Sequence, residues 1–430
     1  MLFNSSVFLV FFCIFFPVYL LLGKRLRAQN AWLLLGGYVF YGWWSLKFLA
    51  LLIFTTFIDY LVGLGLDRFQ DERRRKLLLV VSLATNLGIL AIFKYFNFFA
   101  DSLVDVLNAF GFQAHPVTLR VVLPIGISFY TFQEMSYTID VYLRRMKPCR
   151  NLLEFATFVA FFPPLVAGPI ERARRLLPQV QAPRRTTPTQ VNDGLWLILF
   201  GYFKKLVIAD QVSTIADLVF AAGSPSYGID LLIGLLAFTV QIYGDFSGYS
   251  DIARGLAKLL GFEILINFKL PYFARNPSDF WARWHIALSS WIRDYLYIPL
   301  GGSRRGEWRT HYNLFITMAL CGLWHGAAWN FVAWGIYHGL LSSIYRIFSR
   351  PVPRGPDGQR LPLPPTPAPV AVLQWALMLV LTIIGWALFR AESLPQAWHI
   401  VTAWSFETTP WTAEMVRYLG TAIAFLLVFD

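Results

Sequence analysis

Long apolar runs alternate with short basic breaks along the whole chain. Runs of about 20 mostly apolar residues, the length a helix needs to cross a bilayer, fall near 7–22, 31–45, 48–66, 77–99 and 119–142. Further runs follow at 193–220, 229–250, 312–347 (long enough for two helices), 370–390 and from 416 to the end. Lipid admits only helices or closed barrels, and none of these runs has the period-2 alternation of a barrel strand. With one more segment at 152–168, the pattern predicts an all-α integral membrane protein of about 10–12 transmembrane or re-entrant helices.

Basic residues in short loops mark the cytoplasmic side. Three such loops carry Lys24, Arg25 and Arg27, then Arg68, Arg73, Arg74, Arg75 and Lys76, then Arg144, Arg145, Lys147 and Arg150. The stretch 101–118 and the sequence AAGSPSYG at 221–228 lack Lys and Arg, so they and the N-terminus are expected outside. Segment 152–168 breaks the alternation, because Arg172, Arg174, Arg175, Arg184 and Arg185 follow it. Its Pro163-Pro164 pair interrupts helical hydrogen bonding, so it reads as two half-helices that dip in and return. The stretch from Lys258 to His311 is too polar to span and is expected at the cytoplasmic interface, partly re-entrant.

The chain reads as a single membrane domain covering 1–430, with a Pro-rich loop at 350–369 before its last two helical segments. The final run, AIAFLLVFD, stops at Asp430 short of a full span, which reads as a chain that continues in the natural protein. The N-terminal run has no basic n-region and no small-residue cleavage pattern, and reads as a first membrane helix.

Composition strengthens the membrane reading: 57% of residues are apolar and only 14% charged, against about a quarter charged in soluble proteins. The formal +12 charge follows from the positive-inside rule and anionic lipids, and gives no reason to invoke nucleic acid. Cys13, Cys149 and Cys321 are too scattered for a disulfide framework or a zinc ribbon.

Candidate chemistry is densest in RNPSDFWARWHIALSSWIRDYLYIPLGG (275–302) and NLFITMALCGLWHGAAWNFVAWGIYHG (313–339). Histidine exchanges protons near neutral pH, and an ionisable residue within a membrane segment is a functional candidate. If the helix enters from the cytoplasm near Asn313, twelve residues place His325 roughly 18 Å deep, near the midplane. Small neighbours Gly322, Gly326, Ala327 and Ala328 leave room beside its ring, with Trp324 and Trp329 as walls. His325 is either a general base or a hydrogen-bonding link between packed helices. His285 is either a second active-site group or a helix-anchoring donor. Trp324, Asn330, Arg283 and Asp279 are the candidate substrate-binding residues. His311, read as a loop residue, and His338, read near a helix end, are assigned structural or interfacial roles, and no catalytic role falls to His115 or His399.

Asp245 and Asp251, in QIYGDFSGYSDIARG, are expected to pair with Arg254, Lys258 or Arg275. Glu134 and Asp140 are expected to face a polar interior. There is no G-x-S-x-G elbow, HEXXH, Walker A loop or G-x-G-x-x-G, so no metal site is assigned. The simplest chemistry is a histidine activating an acceptor hydroxyl directly, with basic interfacial residues holding a phosphate-bearing donor.

These two runs, with FNSSVFLVFF, YVFYGWW, LPIGISFYTFQ, VAGPIER and YGDFSGYSDIARG, resemble the membrane-bound O-acyltransferase (MBOAT) family, in its bacterial branch that includes alginate O-acetyltransferase. The resemblance covers almost the whole chain in the family's order. It implies a multi-helix shell around a central funnel, with His325 as the family's invariant histidine and His285 as its second. It further implies acetyl-CoA as acyl donor, with no bound cofactor, and a hydroxyl of an exported polysaccharide or partner protein as acceptor. An extracytoplasmic SGNH-hydrolase-like partner and a multi-pass location in the bacterial inner membrane complete the expectation. The alternative is a non-catalytic export or scaffold component for cell-envelope polysaccharide. An ion-coupled transporter, with Glu134, Asp140, Asp245 and Asp251 as a proton relay, is a third reading.

Overall fold

A computed structural model describes residues 1–115, 121–221, 223–224, 226–349 and 366–429, and every regular element among them is a helix. The helices gather into two compact units, one formed by residues 1–205 and 246–266, the other by 206–245 and 267–430.

The first unit contains α1 (Ser6–Leu21), α2 (Leu26–Gly42), α3 (Leu46–Arg68), α4 (Glu72–Leu90), α5 (Phe96–Ala109), α6 (Ile127–Tyr142), α7 (Leu152–Val159), α8 (Phe162–Leu165), α9 (Ala173–Gln181) and α10 (Pro188–Tyr202). Helix starts follow local chemistry. Ser5 caps α1 by accepting from Phe8 N, Asp71 caps α4 by accepting from Arg74 N, and Thr187 and Gln190 form a capping box at α10. Helices α4 and α5 join through a π-helical turn, Ala91–Tyr95, into one run of 38 residues. The segment at 152–168 is broken as expected: α7 has eight residues and α8 four, with Pro163 and Pro164 at the start of α8. Eight residues rise only about 12 Å, too little to span.

Lipid tails are as apolar as leucine, so helices in a bilayer associate through close packing. The first unit shows this directly. Phe15 stacks on Trp32 at 5.7 Å, and a Cβ on Gly36 would lie 2.4 Å from the Phe15 ring. On α10, a Cβ on Gly194 would meet Gly255 O at 2.9 Å, and one on Gly201 would meet Gly248 O at 2.6 Å. Both pairs are spaced by seven residues, two helical turns, so one face of each helix lies backbone against backbone.

Buried charges of this unit have partners. Asp140 faces Arg145 at 3.4 Å and Arg174 at 4.0 Å. Asp251 pairs with Arg254 at 3.2 Å, as the spacing predicts, and with Lys204 at 3.1 Å. Glu134 accepts from Thr56 Oγ1 at 3.0 Å. Arg184 is only 7% exposed, so it is not the solvated loop cation that its neighbourhood of arginines implies.

The second unit contains α11 (Asp210–Phe220), α13 (Pro277–Trp281), α14 (Ile286–Ile292), α15 (Glu307–His325), α16 (Trp329–Phe348), α17 (Ala368–Arg390), α18 (Leu394–Thr402) and α19 (Thr412–Phe429). Helix α12 (Ile229–Leu259) contributes its part up to Asp245 here and the remainder to the first unit. The polar stretch after α12 holds only short helices, among them α13 and α14, the latter continued by a π-helical turn at Arg293–Tyr297, before α15 begins. His311 lies within α15, not in a loop, because that helix already starts at Glu307. The Pro-rich loop lies outside the described residues from 350 to 365; residues 366 and 367 are non-helical and α17 follows.

Among the described residues, four helical runs are long and apolar enough to cross a membrane: Leu46–Arg68, Glu72–Ala109, Ile229–Leu259 and Ala368–Arg390.

Candidate active site

The site is built in the second unit around a tight hairpin. Helix α15 ends at His325, extended backbone at Gly326 and Ala328 reverses the chain, and α16 starts at Trp329. The two helices touch through glycine. A Cβ on Gly322 would lie 2.1 Å from Phe331 O, and one on Gly335 would lie 2.2 Å from Met318 O. A Cβ on Gly326 would lie 2.1 Å from the Phe331 ring. Small residues near His325 therefore serve helix packing, and the room read there for a substrate is filled by α16.

His285 reaches the same place from another direction. It precedes α14 in the left-handed region at φ 44°, a strained position that costs about 1–3 kcal/mol and is concentrated at functional sites. Asn267 holds the strain in place. Its backbone O accepts from Ile286 N at 2.9 Å, and its Oδ1 accepts from Ala287 N at 3.3 Å. The same Oδ1 lies 3.0 Å from His285 Nδ1. A backbone N–H can only donate, so Oδ1 is an acceptor and His285 Nδ1 carries the proton. In the neutral ring Nε2 is then the lone-pair nitrogen, fixed in orientation by a side chain 18 positions earlier.

The two histidines meet. Their ring centroids are 6.3 Å apart. Trp324, 7% exposed, lies 6.1 Å from the His285 ring and 5.0 Å from that of His325. Trp334 and Phe389 complete the wall, edge-on to His325 at 5.0 and 5.3 Å. Trp329, at the start of α16, is 59% exposed.

The other candidate residues are tied into the second unit by hydrogen bonds. Arg283 Nε donates to Asp279 Oδ1 at 2.7 Å, Asp279 Oδ2 accepts from Arg275 N, and Arg283 Nη1 donates to Lys269 O. This set pins the chain around α13. Asn330 Nδ2 donates to Ala391 O at 2.7 Å, tying the start of α16 to the end of α17. His338 departs from its expected position: it is mid-helix in α16, 1% exposed, with its ring 4.8 Å from Trp334 and 5.2 Å from Trp281. The four-residue spacing of Trp334 and His338, one helical turn, was the available signal. Asn267 had none, because its partners lie in a different short element.

The structure brings two histidines together where helix α15 ends, with their ring centroids 6.3 Å apart. The sequence profile of the membrane-bound O-acyltransferase family matches residues 147–364. A probable alginate O-acetylase AlgI of Pseudomonas aeruginosa is 42% identical over 95% of this chain and 76% of its own length. A peptidoglycan O-acetyltransferase of Helicobacter pylori is 32% identical over 93% of the chain and 79% of its own, and a teichoic acid D-alanyltransferase of Bacillus subtilis 28% over 55% and 62%. The chain belongs to the membrane-bound O-acyltransferase family and is an O-acyltransferase.

Proposed function

We propose that the protein is a membrane O-acetyltransferase that moves an acetyl group from a cytoplasmic thioester, acetyl-CoA, to a hydroxyl of an exported, alginate-like polysaccharide. The observation that carries this reading is the meeting of His325 and His285 within one aromatic-walled site. In this mechanism His325 takes the proton of the acceptor hydroxyl as its oxygen attacks the thioester carbonyl. The departing thiolate takes that proton as the C–S bond breaks. His285, its Nδ1–H committed to Asn267, positions the acceptor or donor through Nε2, and Trp324 excludes water. The relatives named for alginate and peptidoglycan acetylation support an acetyl group and a polysaccharide acceptor. Arg304, Arg305 and Arg309, exposed just before and within the first turn of α15, suit the phosphates of the donor.

The bacterial inner membrane is the matching location, and an SGNH-hydrolase-like protein outside it is the proposed partner for delivery to the polymer. The test is acetyl-CoA consumption by protein in liposomes, with and without polysaccharide or such a partner. Turnover that requires an acceptor and disappears in His325→Ala supports the reading. Absence of turnover with a folded wild-type protein and every acceptor favours an export or scaffold role.

A further inference from the structure

Around His325 the second unit gathers hydrogen-bond donors for which it supplies no acceptor. Trp334 is fully buried, and neither its Nε1 nor that of Trp281 meets an acceptor among the described residues. His338 Nδ1 is likewise without a partner. The rings form one box: Trp281 lies 5.9 Å from Trp334, Phe280 stacks on His338 at 6.0 Å, and Trp334 stands between His325 and His338. An indole N–H can only donate, and leaving one unpaired in an apolar interior costs about 1–3 kcal/mol. Indole N–H donors without acceptors fit a ligand that brings an uncharged acceptor oxygen, such as a carbonyl. Trp281, Trp334 and Trp386 all have an indole N–H without an acceptor among the described residues, and of these Trp334 has its ring 5.0 Å from that of His325.

We propose that Trp334 is a catalytic residue: its indole N–H binds the carbonyl oxygen of the acyl thioester and stabilises the oxyanion that forms there. This rests on the acyltransfer reading above and adds the electrostatic half of the site. As the acceptor oxygen bonds to the carbonyl carbon, its proton passes to His325 and the C=O electron pair moves onto oxygen, which Trp334 Nε1–H holds. The pair then returns, the C–S bond breaks, and the thiolate leaves with the proton from His325. An oxyanion donor acts mainly in the transition state.

The test uses the full chain in liposomes with acetyl-CoA and the acceptor that supports wild-type turnover. Trp334→Phe is expected to lower kcat about 100-fold with KM within about twofold. A second measurement is independent of turnover: binding of two unreactive CoA derivatives, one a ketone in which CH2 replaces sulfur, the other an ethyl thioether without the carbonyl. Wild type is expected to prefer the ketone about tenfold, the equivalent of one hydrogen bond, and Trp334→Phe to bind both alike. If Trp334→Phe fails to fold, 3-benzothienylalanine at position 334 keeps the bicyclic shape and removes only the N–H. An unchanged kcat or a retained ketone preference in a folded variant overturns the proposal. A wild-type protein that consumes no thioester yet prefers the ketone overturns the acyltransfer reading while leaving the carbonyl site standing.

Discussion

Two regions bury comparable polarity and resolve it in opposite ways. In the first unit Arg184 donates to Tyr19 Oη, the backbone O of Gln179 and Val180, Gln29 Oε1 and Asn30 Oδ1, and lies 4.8 Å over the Phe262 ring. Tyr19 in turn donates to Leu260 O, and Asn30 to Val180 O. The knot is closed, with protein acceptors on all three nitrogens of a guanidinium. In the second unit, Trp281, Trp334 and His338 leave polar atoms open, and the Trp334 ring stands 5.0 Å from that of His325. A saturated network holds chain segments together, whereas an open set of donors waits for an outside acceptor. The contrast is between these two sites and not between the units, since the first unit also holds unpaired buried polar atoms such as Tyr130 Oη and Tyr249 Oη.

The largest expected effects test that separation. His325→Ala should reduce acetyl transfer by about 10²- to 10⁴-fold, the range of general-base catalysis, while the melting temperature in detergent stays within a few degrees. Arg184→Ala should do the reverse. It strands the neutral acceptors of Tyr19, Gln29 and Asn30, and a buried polar group left unpaired costs about 1–3 kcal/mol. Activity per folded molecule should persist. Melting curves and active-fraction measurements on both variants decide the matter, and a stable Arg184→Ala protein with lost turnover would erase the contrast.

A smaller effect appears with pH. Glu171, buried between α8 and α9, accepts from Leu265 N. Burial pushes its carboxyl up to about 7 from the usual 4.5, against the Leu265 hydrogen bond and the charges of Arg175 and Arg172. A carboxyl raised on folding binds its proton more tightly in the folded state, so its contribution is complete below about 4.5 and is lost as pH rises toward 7. Glu171→Gln should flatten unfolding free energy across that window, a change of about 3 kcal/mol. Wild-type stability that rises over the same range refutes the assignment.

Much of this was legible from one sequence. Apolar run length located the helices, the Pro163-Pro164 pair announced the break between α7 and α8, and the two histidine-bearing runs marked the site. What was not legible depended on three-dimensional neighbours. Arg184 counts as a loop cation in any charge tally, because hydropathy cannot distinguish a solvated guanidinium from one satisfied by amides and carbonyls. Gly322 and Gly326 read as space beside a histidine, yet glycine invites a neighbouring helix as readily as a substrate. Phe389 comes from another helix, 64 positions beyond His325.

Asn267 offers the finest test of the working region. Its Oδ1 fixes the proton on His285 Nδ1 and so decides which ring nitrogen faces the site, while its backbone O braces the strained turn through Ile286 N. Asn267→Ala removes the first function and keeps the second. The expected result is a loss of about tenfold in kcat, near 1.4 kcal/mol, with the fold intact. Asn267→Asp keeps an acceptor for both His285 Nδ1 and Ala287 N and should recover most of that loss. If alanine and aspartate behave alike, the tautomer of His285 does not matter to turnover. The ring would then serve by packing alone, and the working region would shrink to His325 and its aromatic wall.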